Sequence, residues 1–166
     1  ASRKIAADLS EQLNVTVHVG VLERGMVTYV VKCTTPTSMV TQTRAGAQLE
    51  AYCSGLGKVL LAALPPEQLD AIILDGELIA LTPKTITDKQ LLRDHLELVR
   101  AQGYAVDDRE FRPDMSCIAV PIRNDQDHPV AAISITDRAE DMTLERRDQL
   151  LRELTSAAAA ISRKAC

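Results

Sequence analysis

Tryptophan is absent, and the aromatic complement is Tyr29, Tyr52, Tyr104 and Phe111 in 166 residues. Four rings are too few for a platform on which nucleobases stack, and they leave an interior that must be aliphatic. Basic residues are outnumbered, 19 Lys and Arg against 23 Asp and Glu, for a formal net charge of −4. A chain that grips nucleic acid unaided carries a basic balance or a basic stripe, and this one has neither. Gly and Pro, seven of each, are too sparse for a collagen-like or low-complexity chain. No run approaches the roughly 18–20 apolar residues that a membrane-spanning helix needs, and no signal-peptide pattern opens the chain. The four cysteines (Cys33, Cys53, Cys117 and Cys166) share no CxxC spacing. A domain this long needs no staples, so they are expected to be reduced thiols in a cytoplasmic protein. Three histidines and these scattered thiols show no metal-ligand spacing, and neither a metal nor a cofactor is expected.

What is present is a 46% hydrophobic, 25% charged sequence, ordinary for one soluble domain. Ile5, Leu9 and Leu13 repeat at helical spacing from the outset, with no Met and no start signal. A piece of a longer chain is the expected origin. Val15, Val17 and Val19 then alternate with Thr16, His18 and Gly20, predicting a strand. The turn Glu23-Arg24-Gly25 joins it to a β-rich segment from Met26 to Cys33. A weaker third strand is read over Ser38 to Thr43. Cys53-Ser54-Gly55-Leu56-Gly57 leads into an apolar helix from Lys58 to Leu64, stopped by Pro65-Pro66, and Glu67 to Leu74 is a second short helix. Thr87 and Gln90 have capping-box spacing ahead of a helix that carries Leu92, Leu96 and Val99 on one face and ends at Gly103. Strands follow at Tyr104 to Asp108, Cys117 to Ile122 and Val130 to Thr136, and a last helix starts at Thr143 as N-cap. Hairpin-joined strands with helices segregated on the sheet faces make an α+β domain.

Several short motifs invite a chemical reading. Gly55-Leu56-Gly57-Lys58 lacks the spacing of a P-loop, and Leu60 stands where a dinucleotide fingerprint needs glycine. A Gly-flanked helix N-terminus still exposes unpaired N–H groups that suit a small carboxylate, although the glycines also fit simple close packing. Cys117 as a nucleophile needs a His base from among His18, His95 and His128. His128 falls in a turn, His95 lies mid-helix, and His18 faces away from the strand valines, so a structural thiol is the plainer reading. Asp107-Asp108 and Glu110 pair carboxylates for acid–base work or simply form a solvated loop. Ser134 and Thr136 put two hydroxyls on one strand face.

Taken in order, four blocks closely resemble the C-terminal effector-binding domain of IclR-family transcriptional regulators. They are Ser54-Gly55-Leu56-Gly57-Lys58-Val59-Leu60-Leu61-Ala62, Gly103-Tyr104-Ala105-Val106-Asp107-Asp108, Cys117-Ile118-Ala119-Val120-Pro121-Ile122 and Pro129-Val130-Ala131-Ala132-Ile133-Ser134-Ile135. The resemblance implies a GAF-like domain with a central antiparallel sheet of about six strands and helices on its faces. Residues 1–14 would close a linker helix from an N-terminal winged helix-turn-helix absent from this chain, and 15–166 would form the effector domain. It also implies no catalysis, a dimer or dimer of dimers, and contact with operator DNA only through that absent domain. The implied effector is a small organic acid or aromatic catabolite. Gly55 and Leu56 would hold its acid group with Ser134 and Thr136, while Asp107 would accept a hydrogen bond from an effector hydroxyl or hydrate. Cys117 would touch it, with Leu49 and Met115 as apolar walls and Gln42 near the mouth. Two other classes stand beside this reading: a small cysteine-dependent hydrolase or transferase using Cys117, and a redox sensor pairing Cys53 with Cys117.

Overall fold

In a computed structural model, residues 2–164 are described; Ala1 and Cys166, the fourth thiol, lie outside them. Helix α1 (Ser2–Leu13) ends at Asn14, whose φ of 53° is tolerated because Val15 N–H reaches back to the Ser10 carbonyl at 3.2 Å. Strands β1 (Thr16–Glu23) and β2 (Met26–Cys33) form the expected hairpin, and its two-residue turn has positive φ at both Arg24 and Gly25. β3 (Gln48–Glu50) pairs with β2. Helices α2 (Gly55–Ala62), α3 (Pro66–Leu74) and α4 (Lys89–Gln102) follow, then β4 (Ala105–Asp108), β5 (Met115–Arg123), β6 (Pro129–Arg138) and α5 (Leu144–Lys164). All pairings are antiparallel, in the order β3-β2-β1-β6-β5-β4. The α+β class and the six-stranded sheet expected from the sequence are both present.

The two faces of this sheet differ in the size of their side chains. On one, Val17, Val19, Ile118, Val120, Ile133 and Ile135 pack against α1 and against Leu150 and Leu154 of α5. Burial of each such side chain stabilises the fold by about 1.5–3 kcal/mol. The other face presents Gly20, Ala105, Ala119 and Ala132, small residues that let α2, backed by α4, come close to the strands. Where that floor gives way to polar residues, toward the β4–β5 end of the hairpins, a hollow opens between α2 and the sheet.

Three local expectations are corrected. Residues 38–43 form no strand; Ser38 is tied into a turn with Thr35 (Thr35 N–H to Ser38 Oγ at 2.9 Å), and the carbonyls of Met39, Val40, Thr41 and Thr43 accept from the side chains of Thr16, Arg112 and Lys32 instead of from a partner strand. The cap of α4 is Asp88, which accepts from Leu91 N–H at 2.9 Å, while the Gln90 side chain turns to Asp94. Helix α2 begins at Gly55, three residues before its predicted start, because Ser54 Oγ accepts from Gly57 N–H at 3.0 Å and nucleates the first turn. The caps at Gly103 (φ 83°) and Thr143, whose Oγ1 accepts from Arg146 N–H, stand as predicted.

Candidate functional site

The sheet's register builds the floor of the hollow in two rows. Asp107, Cys117, Thr136 and Thr16 lie directly across from one another on β4, β5, β6 and β1. One step along, Ala105, Ala119, Ser134 and His18 form the next row. Antiparallel partners share a face, so both rows look toward α2. Gly55, the first residue of α2, sits over them: a Cβ added there would lie 3.3 Å from Ala119 Cβ and 3.6 Å from Cys117 Cβ.

The resulting cavity spans about 490 Å³ of non-atom space, part of it open to solvent. Ser54, Gly55 and Leu56 form one wall, and Asp107, Cys117, Ser134, Thr136, His18 and Tyr29 the floor. Thr41 to Thr43 on one side and Phe111, Arg112 and Met115 on the other close the top. Of the residues singled out from the sequence, Gly55, Leu56, Asp107, Cys117, Ser134, Thr136, Met115 and Gln42 are brought together here. Leu49 is not. It stands opposite Val27 at the short edge strand β3 and packs into the cluster around α2 and α4.

Sequence reasoning missed His18 and Tyr29 as lining residues. The alternation did place His18 opposite the valines; that this face borders a cavity was the missing fact. Tyr29 was hidden by an irregularity, since Val19 pairs with Val31 but Gly20 pairs with Tyr29, leaving Val30 as an extra residue. The bulge puts Val31 in the α1–α5 core and Tyr29 on the cavity side. His18 Nε2 lies 2.6 Å from Thr43 Oγ1, and its ring meets Tyr29 edge to face at 5.0 Å. Burial, helped by the neighbouring Lys32, lowers His18 to about 3, so it lines the cavity as neutral imidazole. Lys32 Nζ donates to the carbonyls of Thr41 (3.0 Å) and Thr43 (2.5 Å), which pins the roof segment to the sheet.

Two acids of the stretch read as a solvated loop are buried, and Asp108 between them is half-exposed. Asp107 is 1% exposed and Glu110 6%. Glu110 pairs with Lys58, itself fully buried, whose Nζ lies 2.5 and 2.6 Å from the two carboxylate oxygens and 3.1 Å from the Val106 carbonyl. Lys58 is thus a strut between α2 and the loop after β4, and does not face a ligand. Asp107 Oδ1 accepts from Glu110 N–H at 2.8 Å; Oδ2 is buried without a partner of good hydrogen-bond geometry, the Phe111 N–H and the Cys117 thiol being the other polar groups about the carboxyl. Burial first, then the Glu110 carboxylate, hold Asp107 up at about 7 against the opposing hydrogen bonds and Lys58.

The thiols are poor nucleophiles in this setting. Cys117 Sγ lies 3.1 Å from Thr136 Oγ1, and burial together with Asp107 pushes its ionisation far upward. Burial, with Asp107 next in weight, pushes Cys53 up to about 12. Cys33, Cys53 and Cys117 are all unbridged. Alkylation of the folded chain by iodoacetamide at about pH 7.5 is expected to leave Cys117 and Cys53 unmodified on the timescale that labels a free thiol peptide. Peptide mass mapping reads this, and fast labelling of Cys117 would contradict it. Among the described residues no group of three or more His, Cys, Asp or Glu is placed to hold a metal ion, and no helix is long and apolar enough to cross a membrane.

Comparison with known proteins agrees with this architecture. The family described as "Bacterial transcriptional regulator IclR C-terminal" matches residues 1–163. The crystal structure of the Thermotoga maritima IclR superposes with a TM-score of 0.92 at 31% identity, covering 98% of this chain and 66% of that one. The inducer-binding domain of a PobR double mutant from Acinetobacter, solved with 3-hydroxybenzoic acid, superposes at 0.87 with 27% identity over 97% of this chain and 95% of that one. XynR, an HTH-type transcriptional regulator of Escherichia coli K12, is 31% identical over 147 residues, 86% of this chain. The chain spans only 58% of the length of XynR. Fold and sequence together define the C-terminal domain type that this family of bacterial transcriptional regulators shares. The chain belongs to the IclR family.

Proposed function

We propose that the cavity binds a small organic acid or aromatic catabolite and that the domain passes this event to DNA-reading domains. The observation that carries the reading is the convergence of two polar surfaces on one hollow: the Gly55 and Leu56 end of α2, and the Ser134 and Thr136 hydroxyls on β6. The first N–H groups of a helix have no intrahelical partner and sit at the positive end of its dipole, which favours a carboxylate. Phe111, Met115, Tyr29 and Leu56 offer apolar contact for the remainder of the ligand. PobR was solved with an aromatic acid, which supports the same chemistry here.

In this reading the chain works in the cytoplasm as a dimer or dimer of dimers, with residues 1–14 as the end of the helix leading to the DNA-reading domain and 15–166 as the sensor. An effector that binds one subunit arrangement better than another shifts that equilibrium, a coupling typically worth about 1–3 kcal/mol. Among the described residues no thiol has a histidine as hydrogen-bond partner (Cys33, Cys53 and Cys117 meet the Arg3 carbonyl, the Glu50 carbonyl and the Thr136 hydroxyl), so the cysteine-dependent readings gain no support.

A thermal-shift screen against small organic acids, 2-oxo acids and hydroxybenzoates tests the proposal. An acid present at a hundredfold excess over its Kd stabilises by about 2.7 kcal/mol. The combined change Ser134→Ala and Asp107→Ala is expected to abolish that shift while the unliganded domain stays folded by circular dichroism. An undiminished shift in the double variant would remove these residues from the site.

A further inference from the structure

Asp107 is a buried carboxyl group whose natural counter-ion has been taken by another acid. Lys58 is the ammonium nearest to it, and Lys58 has both oxygens of Glu110 within 2.6 Å and its third bond on the Val106 carbonyl. Two acids thus share one cation, and the geometry assigns the cation to Glu110. The other ionisable groups facing Asp107 are the Cys117 thiol on β5, the Cys53 thiol just before α2 and the Tyr29 phenol on β2; none of them is cationic. Arg112, on the far side of the cavity, is occupied by Asp114 at 2.8 Å and the Val40 carbonyl at 3.1 Å. Yet Asp107 lines the cavity floor across from Cys117, the residue over which α2 begins, and its Oδ2 has no partner of good hydrogen-bond geometry.

We infer that Asp107 meets a bound carboxylate as a carboxylic acid: the α2 N–H groups hold the anion, and Asp107 Oδ2–H donates a hydrogen bond to it. The proton comes from solvent, so binding takes up one proton wherever Asp107 starts ionised. This rests on the proposed function and sharpens it. The ligand class is a carboxylate with no ammonium group beside it, because an ammonium would call for an ionised Asp107. The role differs from that of an acceptor for an effector hydroxyl, to which the sequence resemblance pointed.

The direction of the pH dependence follows. Burial holds Asp107 up at about 7, and a neighbouring anion pushes it higher. His18, lowered to about 3, and Cys53, raised to about 12, are silent near neutrality. The unfolded chain loses the Asp107 proton near its ordinary 3.8, whereas the folded chain keeps it to about 7. Folding stability tied to this group is therefore present at low pH and falls as pH rises through that window.

Acetate is the probe, titrated into the whole chain from about pH 6 to about pH 9, where acetate itself stays ionised, and followed by the amide resonances of Gly55 and Leu56. The expected Kd is nearly flat at the acid end and weakens about tenfold per pH unit at the alkaline end. Asp107→Asn, a permanent neutral donor, is expected to bind acetate at about pH 9 at least as tightly as the wild type does at about pH 6, with no slope. A flat wild-type profile together with tenfold weaker binding by Asp107→Asn would overturn the inference and leave the effector site standing. Absence of acetate-induced shifts at Gly55 and Leu56 would overturn the inference and the proposed site together. The wild-type slope needs no variant to fold. The Asp107 carboxyl carbon resonance, titrating near 7 in the free protein, is a further expected result, and an ordinary carboxylate midpoint would contradict the inference.

Discussion

Lys58→Met is expected to destabilise the domain by about 3–5 kcal/mol, the usual consequence of removing one partner from a buried ion pair. At roughly 2–4 °C per kcal/mol for a chain of this size, Tm falls by about 6–20 °C. The loss comes less from the missing attraction than from what is left behind. Glu110 is 6% exposed and keeps only the Asp108 N–H, at 3.1 Å, as a side-chain partner, and the Val106 carbonyl loses its donor. Lysine is almost never buried this fully unless paired, which is itself the sign that the pair matters. The combined change Lys58→Met and Glu110→Gln is expected to recover most of the stability, because a neutral pair no longer strands a charge. Urea unfolding of the single and double variants reads the coupling directly. Equal losses in both would mean that the pair contributes nothing beyond packing. The pair also anchors the loop that carries Phe111 and Arg112 over the cavity, with help from Thr85 Oγ1, which donates to the Glu110 carbonyl at 2.6 Å.

Gly57→Ala has the second large expected effect, and its sign is opposite to what helix propensity suggests. Alanine inside a helix is favoured over glycine by roughly 1 kcal/mol. Here the added Cβ would lie 2.0 Å from the Ala51 carbonyl oxygen and 2.4 Å from Ala51 Cα. Both are backbone atoms, so no rotamer change relieves the clash. The first turn of α2 must move off the segment before it, at about 3 kcal/mol or more, the upper range of overpacking. The move carries Gly55 and Leu56 with it, so the site is expected to lose organic-acid binding along with stability. Gly55→Ala is the control: its nearest neighbours, Ala119 Cβ and Cys117 Cβ, stand at 3.3 and 3.6 Å, so a shift of a few tenths of an ångström accommodates it. Thermal melts of the two variants compare them, and a Gly57→Ala domain as stable as wild type would contradict the close approach.

The parts of the fold that were legible in the sequence are those in which local pattern and tertiary packing agree. The valine alternation of β1, the leucine stripe of α4 and the Gly103 cap each state locally what the fold demands globally. The segment 38–43 failed because side chains from other elements (Lys32, Arg112 and Thr16) satisfy its carbonyls without a partner strand, an outcome that β-propensity cannot distinguish from an edge. The site was legible as a set of motifs in order, but its electrostatics were not. Lys58 and Glu110 are 52 residues apart, and nothing in either neighbourhood announces the pair. Asp107 looked like part of a polar loop because two acids and an arginine follow it; burial came from α2 folding over β4, a contact without a local signature. Tyr29 was lost to a single extra residue in β2, and Leu49, an apolar wall in the family resemblance, stands at β3 paired with Val27 and outside the cavity lining.

The reading of this cavity as an effector site is tested most directly by crystals of the chain soaked with an organic acid that raises its Tm. The account predicts difference density between the first turn of α2 and β6, with a carboxylate within hydrogen-bond distance of the Gly55 or Leu56 N–H and of the Ser134 or Thr136 hydroxyl. Density for the acid at another surface, with the hollow between Asp107 and Ser134 unchanged, would contradict it.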